Sequence, residues 1–340
     1  MNISRIRVLI VDDSMLFREL LARGISTDPR IEVVAKAVDA FDARDMIIKY
    51  NPDVMTCDVR MPRMDGVEFI RRLLPQYHLP VIVVSSASET VFDALDAGAV
   101  EFVSKPDFDS KTETEKFIKD LIFKIKIAAT AKPNAHRRAA AGVVENKAPN
   151  TEKIIAIGAS TGGTEAIYSI LKSFPRNAPG VVIVQHIPPE FSKLFSERLD
   201  RQTNLCVKEA ETGDFIESGK VLLAPGDRHM RIRKLGNRYR VECFRGSKVN
   251  GHCPSVDVLF ESVAKAAGKQ AVGVILTGMG NDGARGLYAM RRMGALTIGQ
   301  NEKTSVVYGM PRTAYNIGAV AKQVSLEAIP ATIMAALRQP

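Results

Sequence analysis

The sequence predicts an α/β protein of two domains, each built on a parallel sheet. Its 340 residues are about twice the usual length of one domain. In both halves, short apolar runs alternate with helix-length amphipathic segments, a pattern typical of βαβ units with parallel strands. Residues 132–150 contain prolines and an alanine-rich stretch without apolar periodicity, which is typical of a linker. We therefore expect domains at residues 1–130 and 151–340, joined by a linker at 131–150.

Composition limits the class and the location of the protein. Hydrophobic residues make up 46% and charged residues 25%, values that favour a globular protein over a disordered one or a coiled coil. The sequence opens without a signal-peptide pattern, and no apolar stretch reaches the roughly 18 residues of a membrane span. We expect a cytoplasmic protein without membrane insertion. Its four scattered cysteines form no C-x-x-C pair, so we expect reduced thiols and no common zinc pattern.

The net charge of +9 raises the question of a nucleic-acid partner. Tryptophan is absent, and no basic run is interleaved with the aromatic residues that stack on bases. A solvated basic surface is therefore the favoured interpretation, and we expect no nucleic acid.

Chemistry-bearing side chains follow the predicted strands of the first domain. The five strands are predicted at residues 7–11, 31–35, 53–57, 80–84 and 100–103. Asp12 and Asp13 follow the first strand, Asp58 the third, Ser85 the fourth and Lys105 the fifth. Because ligands of open parallel sheets bind beyond the carboxyl ends of the strands, we expect these side chains to share one crevice.

This set of side chains predicts a phosphoacceptor site. Three carboxylates in one crevice repel each other unless a hard cation such as Mg²⁺ neutralises them. An aspartate beside Mg²⁺, with the charge of Lys105 and the hydroxyl of Ser85 nearby, can accept a phosphoryl group. The alternative makes Asp12 and Asp13 helix caps and Lys105 a surface ion, but it requires four coincidences at four strand ends.

Residues 5–128 resemble the receiver domain of response regulators. The matching residues are Asp12-Asp13, Asp58, Met61-Pro62, Asp65-Gly66, Ser85 and Lys105-Pro106, in that order. The resemblance implies a flavodoxin-like (βα)5 fold and phosphorylation at Asp58. It also implies that Asp13, Asp58 and the backbone carbonyl of Arg60 bind Mg²⁺, with Asp12 contributing through water.

The second half predicts a doubly wound parallel sheet with an antiparallel hairpin insertion. Parallel strands are predicted at residues 154–157, 181–184, 272–276 and 295–298, and hairpin strands at 230–234 and 239–243. No repeat with a period of 20–50 residues is visible, which excludes a solenoid.

Ser160 lies in the segment Gly158-Ala159-Ser160-Thr161-Gly162-Gly163, directly after the first of these strands. The pattern G-x-S-x-G places a nucleophilic serine on a tight strand-to-helix turn. A dinucleotide-binding loop is disfavoured because Ser160 replaces its second glycine, and Gln185-His186 stands where the ribose-binding acid is expected. A plain helix cap is the other alternative.

His186 and Asp282 follow the second and third parallel strands of this half. With Ser160 they supply the roles of a catalytic triad: Ser160 attacks, His186 transfers the proton, and Asp282 orients the imidazole. Each residue alone has an ordinary structural explanation. His229 and His252 are the rival bases, but they adjoin the hairpin and not a parallel strand end.

The glycine-rich loop before Asp282 predicts an oxyanion hole. Gly278 and Gly280 allow the backbone to approach a reacting carbonyl. We expect the backbone N–H of Met279, with that of His186, to be the donors. Losing one such donor typically costs about 10²–10³ in rate.

The second half resembles the catalytic domain of the CheB family of chemotaxis protein-glutamate methylesterases. The matching segments are residues 158–163, 185–186, 195–199, 223–230, 255–257 and 277–283. The resemblance implies the same triad, and a substrate: γ-glutamyl methyl esters, and some glutamines, on the cytoplasmic helices of chemoreceptors. It implies the histidine kinase CheA as phosphodonor, Mg²⁺ for phosphorylation, and no cofactor for ester hydrolysis.

Two domains of these kinds suggest a switch. Our hypothesis is that the unphosphorylated first domain covers the Ser160 crevice and that phosphorylation of Asp58 weakens this contact. The alternatives are a response regulator with a DNA-binding output domain and a scaffold that binds receptors without catalysis. In the favoured interpretation, a basic surface could also aid docking to an acidic receptor.

Overall fold

The computed structural model describes residues 5–86, 88–106, 110–131 and 153–338. The chain divides into two compact units, Met1–Asn134 and Ala135–Pro340. Apart from Ala131, the predicted linker at 131–150 lies outside the described residues, so its boundaries stay a prediction. No helix in the described ranges is both long and apolar enough to span a bilayer.

The first unit is a five-stranded parallel sheet with the strand order β2-β1-β3-β4-β5. Its elements are β1 (Ile6–Val11), α1 (Met15–Ile25), β2 (Ile31–Ala37), α2 (Ala40–Tyr50), β3 (Val54–Cys57), α3 (Gly66–Leu73), β4 (Val81–Ser85), α4 (Ser88–Asp96), β5 (Glu101–Ser104) and α5 (Lys111–Ala128). This is the predicted (βα)5 fold. Because the order reverses between β1 and β3, a crevice opens beyond their carboxyl ends.

Local sequence explains where the strands and helices of the first unit begin. The strands β3 and β4 are buried at every position, as expected for parallel strands covered on both faces. Ser14, Asp39 and Asp65 each accept a backbone N–H in the first turn of the helix that follows. These caps start α1, α2 and α3 directly after the strand-end loops, which fixes those loops at the crevice.

The second unit is a seven-stranded parallel sheet with the order β15-β14-β13-β6-β7-β10-β8. Its elements are β6 (Ile154–Ala159), α6 (Gly163–Lys172), β7 (Val181–Gln185), α7 (Pro189–Gln202), β8 (Cys206–Glu209), β9 (Phe215–Ile216), β10 (Lys220–Leu223), β11 (His229–Leu235), β12 (Arg238–Phe244), α8 (Val256–Ala267), β13 (Ala271–Ile275), α9 (Ala284–Arg292), β14 (Leu296–Gln300), α10 (Met310–Asn316), β15 (Lys322–Val324) and α11 (Ile329–Leu337). The order reverses between β6 and β13, so the doubly wound prediction is confirmed and the switch point lies between these two strands.

The predicted hairpin is also confirmed. β11 and β12 pair antiparallel around a two-residue turn, in which Gly236 has a φ of 59° that suits glycine. β9 pairs with β12 and completes a three-stranded sheet. The inner side chains of the hairpin join the core of the unit; they are Met230, Ile232, Tyr239, Val241 and Cys243.

The sequence prediction missed β8, β10 and β15, which belong to the main sheet. The segment between the second and third predicted strands therefore contributes two parallel strands as well as the hairpin. β8 and β15 are sheet edges of four and three residues, and both carry lysine. Short edge strands with charged side chains prevent further strand pairing. Because such strands lack a long apolar run, the sequence pattern does not identify them.

Replacing Gly66 by alanine tests the close contact between α3 and the loop after β3. A Cβ at this position would lie 2.1 Å from the carbonyl oxygen of Asp58, so the backbone must shift. We expect Gly66→Ala to destabilise the first unit by about 1–3 kcal/mol. Faster hydrogen exchange of the β3 and α3 amides in the full chain measures this effect.

The control is Arg71→Ala, which removes an exposed side chain from the same helix. Equal exchange rates in Gly66→Ala and the unaltered protein would contradict the expected clash.

Candidate functional site

In the first unit, a partly buried lysine bridges two aspartates at the ends of β1 and β3. Lys105 Nζ donates to Asp12 Oδ2 and to Asp58 Oδ2, both at 2.6 Å. Both carboxylates are buried. Burial raises the pKa of Asp12, and the hydrogen bond from Lys105 opposes this only in part. For Lys105, burial lowers the pKa, but the hydrogen bonds to the two carboxylates outweigh it and the net shift is upward. The bridge therefore contains a charged ammonium.

The acidic cluster of the first unit has the donor set of a divalent-cation site. One oxygen from each of Asp12, Asp13 and Asp58 lies within 4.8 Å of the other two. Three carboxylates with one ammonium leave excess negative charge, and hard carboxylate oxygens are the ligands that Mg²⁺ prefers. The residues present therefore fit Mg²⁺.

The remaining predicted residues of this crevice lie at the same edge of the sheet. Ser85 ends β4 and is buried, and its carbonyl accepts the backbone N–H of Lys105 at 3.1 Å. The backbone N–H of Arg60 donates to Asp58 Oδ1 at 3.3 Å, which fixes the loop after β3. Asp13 is exposed, so the cluster opens to solvent on its side.

In the second unit, the sheet register brings Ser160 and His186 side by side. Ala159 of β6 pairs with Gln185 of β7, and Ser160 and His186 are the next residues of these two strands. The backbone N–H of Ser160 donates to the carbonyl of Thr277, at 3.0 Å, which ties the serine to the loop after β13. The three strand ends β6, β7 and β13 therefore meet at Ser160.

Close packing around Ser160 requires glycine at two positions and orients a buried glutamine. Gln185 Nε2 donates to the carbonyls of both Ser160 and His186, at 2.9 and 3.2 Å. A Cβ on Gly163 would lie 2.2 Å from Gln185 Oε1, and one on Gly278 would lie 2.7 Å from Ser160 Cβ. Because both positions are glycine, the turn that contains Ser160 and the side chain of Gln185 can pack directly against the backbone.

His186 uses one ring nitrogen to contact Asp282. His186 Nε2 and Asp282 Oδ2 are 2.8 Å apart, and the side chains are 8% and 1% exposed. In the described part of the chain, His186 Nδ1 is buried and has no hydrogen-bond partner. Because the carboxylate holds Nε2, the nitrogen left to exchange a proton is Nδ1.

The Asp282 carboxylate is saturated with donors. They are Asn250 Nδ2 at 2.9 Å, Ser255 Oγ at 2.7 Å, Val256 N at 2.7 Å and Asp257 N at 3.2 Å. The last two are the first N–H groups of α8, so the carboxylate caps this helix at its positive dipole end. Burial raises the pKa of Asp282, but the hydrogen bonds, from His186 above all, hold it well below its ordinary value. Asp282 is therefore ionised at neutral pH.

His252 stacks on the imidazole of His186. The ring centroids are 3.6 Å apart and the planes differ by 6°. Burial, followed by the charge of His186, lowers the pKa of His252 to about 4. The sequence suggested His252 only as a rival base beside the hairpin, whereas the structure places it as a neutral cover on one face of His186.

The other rival base, His229, has a structural role. Its Nε2 donates to the carbonyl of Ser247 at 2.9 Å, and its Nδ1 accepts the backbone N–H of Ser255 at 3.2 Å. Both ring nitrogens are therefore occupied, and His229 is buried. It fixes the chain before α8.

One predicted oxyanion donor is wrong. The backbone N–H of His186 donates to the carbonyl of Ala159 at 3.1 Å, because the hydrogen bonding of the sheet continues one residue past β7. Within residues 153–338, no backbone carbonyl accepts the N–H of Met279, while Gly278 O accepts from Gly309 and Met310. The Met279 N–H is the candidate donor that remains.

Sequence reasoning assigned no role to Asn250 and Ser255, which bind Asp282. Ser255 precedes α8 and has the residue type of a helix cap, so its position was detectable. Asn250 Nδ2 also donates to Asp257 Oδ2 at 2.8 Å, but nothing in the local sequence indicates this contact.

Comparison with known proteins matches each unit to a known family. The CheB methylesterase family matches residues 155–333, and the response regulator receiver domain matches residues 8–114. Two relatives are named protein-glutamate methylesterase/protein-glutamine glutaminase. The relative from Syntrophomonas wolfei is 58% identical over 97% of both chains, and that from Salmonella typhi is 47% identical over 98% of this chain and 97% of its own.

A solved structure, the catalytic domain of Thermotoga maritima CheB methylesterase, has a TM-score of 0.53 and 34% identity. The alignment covers 54% of this chain and 97% of the Thermotoga maritima chain. The matched region of the family extends over more than half of the sequence, and the relatives match nearly all of it. The chain therefore belongs to the CheB methylesterase family and has a response regulator receiver domain ahead of its methylesterase domain.

Proposed function

We propose that this protein is a phosphorylation-regulated hydrolase that demethylates γ-glutamyl methyl esters on the cytoplasmic helices of chemoreceptors. The observation that carries the proposal is the buried His186–Asp282 pair beside Ser160 at the switch point of the second sheet. The relatives named for both methylesterase and glutaminase activity extend the proposal to deamidation of glutamine side chains.

In the proposed acylation step, Ser160 Oγ attacks the γ-carbonyl carbon while His186 Nδ1 takes the hydroxyl proton. The ionised Asp282 holds Nε2–H and stabilises the imidazolium that forms. The carbonyl oxygen becomes an oxyanion, and the Met279 N–H is the proposed donor to it. Collapse of this intermediate breaks the C–O bond to methoxide, which takes the proton from His186 and leaves as methanol.

In the proposed deacylation step, water attacks the acyl-enzyme. His186 Nδ1 takes one proton from the water, and collapse breaks the acyl C–O bond and returns that proton to Ser160 Oγ. The glutamic acid side chain that is released loses its remaining proton to solvent and becomes a carboxylate. With a glutamine substrate the same sequence of steps releases ammonia in place of methanol. Either reaction converts a neutral side chain into an anionic one.

In the first unit, we propose that Asp58 is the phosphoacceptor and that the histidine kinase CheA is its donor. Asp13, Asp58 and the backbone carbonyl of Arg60 would hold Mg²⁺, with Asp12 contributing through water. When bound, Mg²⁺ neutralises charge on the transferred phosphoryl oxygens. The ammonium of Lys105 lies 2.6 Å from Asp58 Oδ2, where it can bind a phosphoryl oxygen. The Ser85 hydroxyl is the proposed hydrogen-bond donor to the product.

Ser160→Ala tests the proposed nucleophile. Without Oγ no acyl-enzyme forms, so we expect methanol release from methylated receptor to fall by about 10³-fold or more. Phosphorylation of Asp58, which uses the other unit, should be unaffected.

The matched control is Ser169→Ala, which removes an exposed hydroxyl from α6. Methanol release by Ser160→Ala at the rate of this control would mean that another residue is the nucleophile.

His252→Ala and His252→Phe test the stack on His186. Alanine frees the imidazole to rotate, and misplacement of a catalytic group by about 1 Å can cost 10²-fold. We expect kcat to fall about tenfold or more in His252→Ala with KM unchanged. Phenylalanine keeps an aromatic face, so His252→Phe should retain most of the activity. Equal kcat values in the two variants would contradict a role for stacking.

The His252→Phe variant also has a pH signature in its stability. In the folded protein the pKa of His252 is about 4, against 6.5 for an unperturbed histidine, so the unfolded chain binds the proton first. The unaltered protein should therefore lose stability through this group as the pH falls from about 6.5 to about 4. Urea unfolding across this range should show a smaller loss in His252→Phe.

Asp58→Asn tests the proposed control by phosphorylation. A small-molecule phosphodonor with Mg²⁺ should raise methanol release by the unaltered protein, and Asp58→Asn should not respond. The control is Asp53→Asn, a change at a carboxylate that binds the Arg7 backbone away from the crevice. Activity that is the same with and without phosphodonor in all three proteins would refute the proposed regulation.

A further inference from the structure

Most of the net charge of the protein lies in one short segment. Residues 228–248 contain eight lysines and arginines and one glutamate, a net charge of +7 out of +9 for the chain. They form the hairpin of β11 and β12 with its flanking loops. We call this segment the basic ribbon, and its cations are Arg228, Arg231, Arg233, Lys234, Arg238, Arg240, Arg245 and Lys248.

The pairing of the ribbon strands places several cations close together on the solvent-facing side of the hairpin. The inner face of the hairpin is buried in the core, so the alternate residues point outward. On the outer face Arg233 lies directly opposite Arg240, and like charges in this position are destabilising. Glu242 offsets the charge of Arg233 but forms no salt bridge with Arg240 among the described residues. An anionic partner bound to this face would remove that repulsion.

The ribbon contains too few acidic groups to neutralise its cations. Glu242 accepts hydrogen bonds from Arg231 and Arg233, both at 2.7 Å, and these bonds lower its pKa to about 2. Arg238 pairs with Glu217 of the neighbouring loop. Across the described residues, five ribbon cations have no acidic partner within salt-bridge distance: Arg228, Lys234, Arg240, Arg245 and Lys248.

The ribbon leads directly into the proposed catalytic site. Arg245 and Lys248 lie on the exposed chain between β12 and His252, whose ring stacks on His186. Lys248 is close enough that its charge contributes to the lowered pKa of His252. The unpaired cations therefore begin beside the reacting groups and extend away along the hairpin.

We infer that the basic ribbon is a docking surface for an acidic segment of the protein substrate. The inference rests on the proposed function, in which each turnover leaves a new carboxylate on the substrate. Cations beside the site attract such a surface and raise the association rate, but they do not contact the reacting carbonyl. The ribbon therefore acts on KM for protein substrates and leaves kcat unchanged.

The test removes three ribbon cations that lack acidic partners, in the combined variant Lys234→Gln, Arg240→Gln and Arg245→Gln. At low salt, KM for a methylated receptor cytoplasmic fragment should rise about tenfold with kcat unchanged. The difference should shrink at high salt because solvent-exposed charges are screened. The matched control is Lys172→Gln, Lys303→Gln and Lys322→Gln, which removes three exposed cations on α6, in the loop after β14 and on the edge strand β15.

A binding measurement separates this inference from the proposed function. Fluorescent poly-L-glutamate is titrated with the full chain carrying Ser160→Ala, alone or with either triple change. The ribbon change should weaken binding about tenfold and the control change should not, whether or not the protein hydrolyses esters. Equal binding by the two triple variants, or tighter binding of duplex DNA than of polyglutamate, would overturn the inference. Absence of methanol release from any methylated substrate would instead overturn the proposed function.

Discussion

The arrangement of the second site depends on the buried carboxylate of Asp282. An unpaired charge at 1% exposure would cost several kcal/mol, at least, so the surrounding chain must supply donors. They come from the loop before α8, from the first turn of α8 and from the end of β7. One carboxylate thus holds three separate segments in place, and the orientation of His186 follows from it.

The two units place their polar side chains at the same position in a parallel sheet, but the charges gathered there differ. Each sheet reverses its strand order, and each collects its polar side chains beyond the carboxyl ends at that reversal. In the first unit three carboxylates lie together and one ammonium bonds two of them, which leaves an excess of negative charge that suits a divalent cation. In the second unit one carboxylate is fully hydrogen-bonded, and His186 keeps one nitrogen without a partner, which suits proton transfer. Similar architecture therefore supports different proposed chemistry.

Sequence patterns located the strand ends well because apolar runs and the residues after them are local features. Asp12, Asp58, Ser85 and Lys105 lie at one edge of the first sheet, as the alternation of strands and helices predicted. Two predictions failed because they depend on how far the hydrogen bonding of the sheet extends: the oxyanion donor at His186 and the number of strands in the second sheet. The N–H of His186 is used by the sheet, and the short edge strands β8 and β15 lack a sufficient apolar run.

The sequence by itself determined the two α/β units, the family, and the residue types gathered at each switch point. Only the tertiary structure decided that Nε2 of His186 meets Asp282, that His252 covers the imidazole, and that Asn250 binds the carboxylate. These contacts join residues 96 and 32 positions apart in the chain for Asp282 with His186 and Asn250. Periodicity and caps act over a few residues, whereas such pairs form only when separate strands and loops pack together.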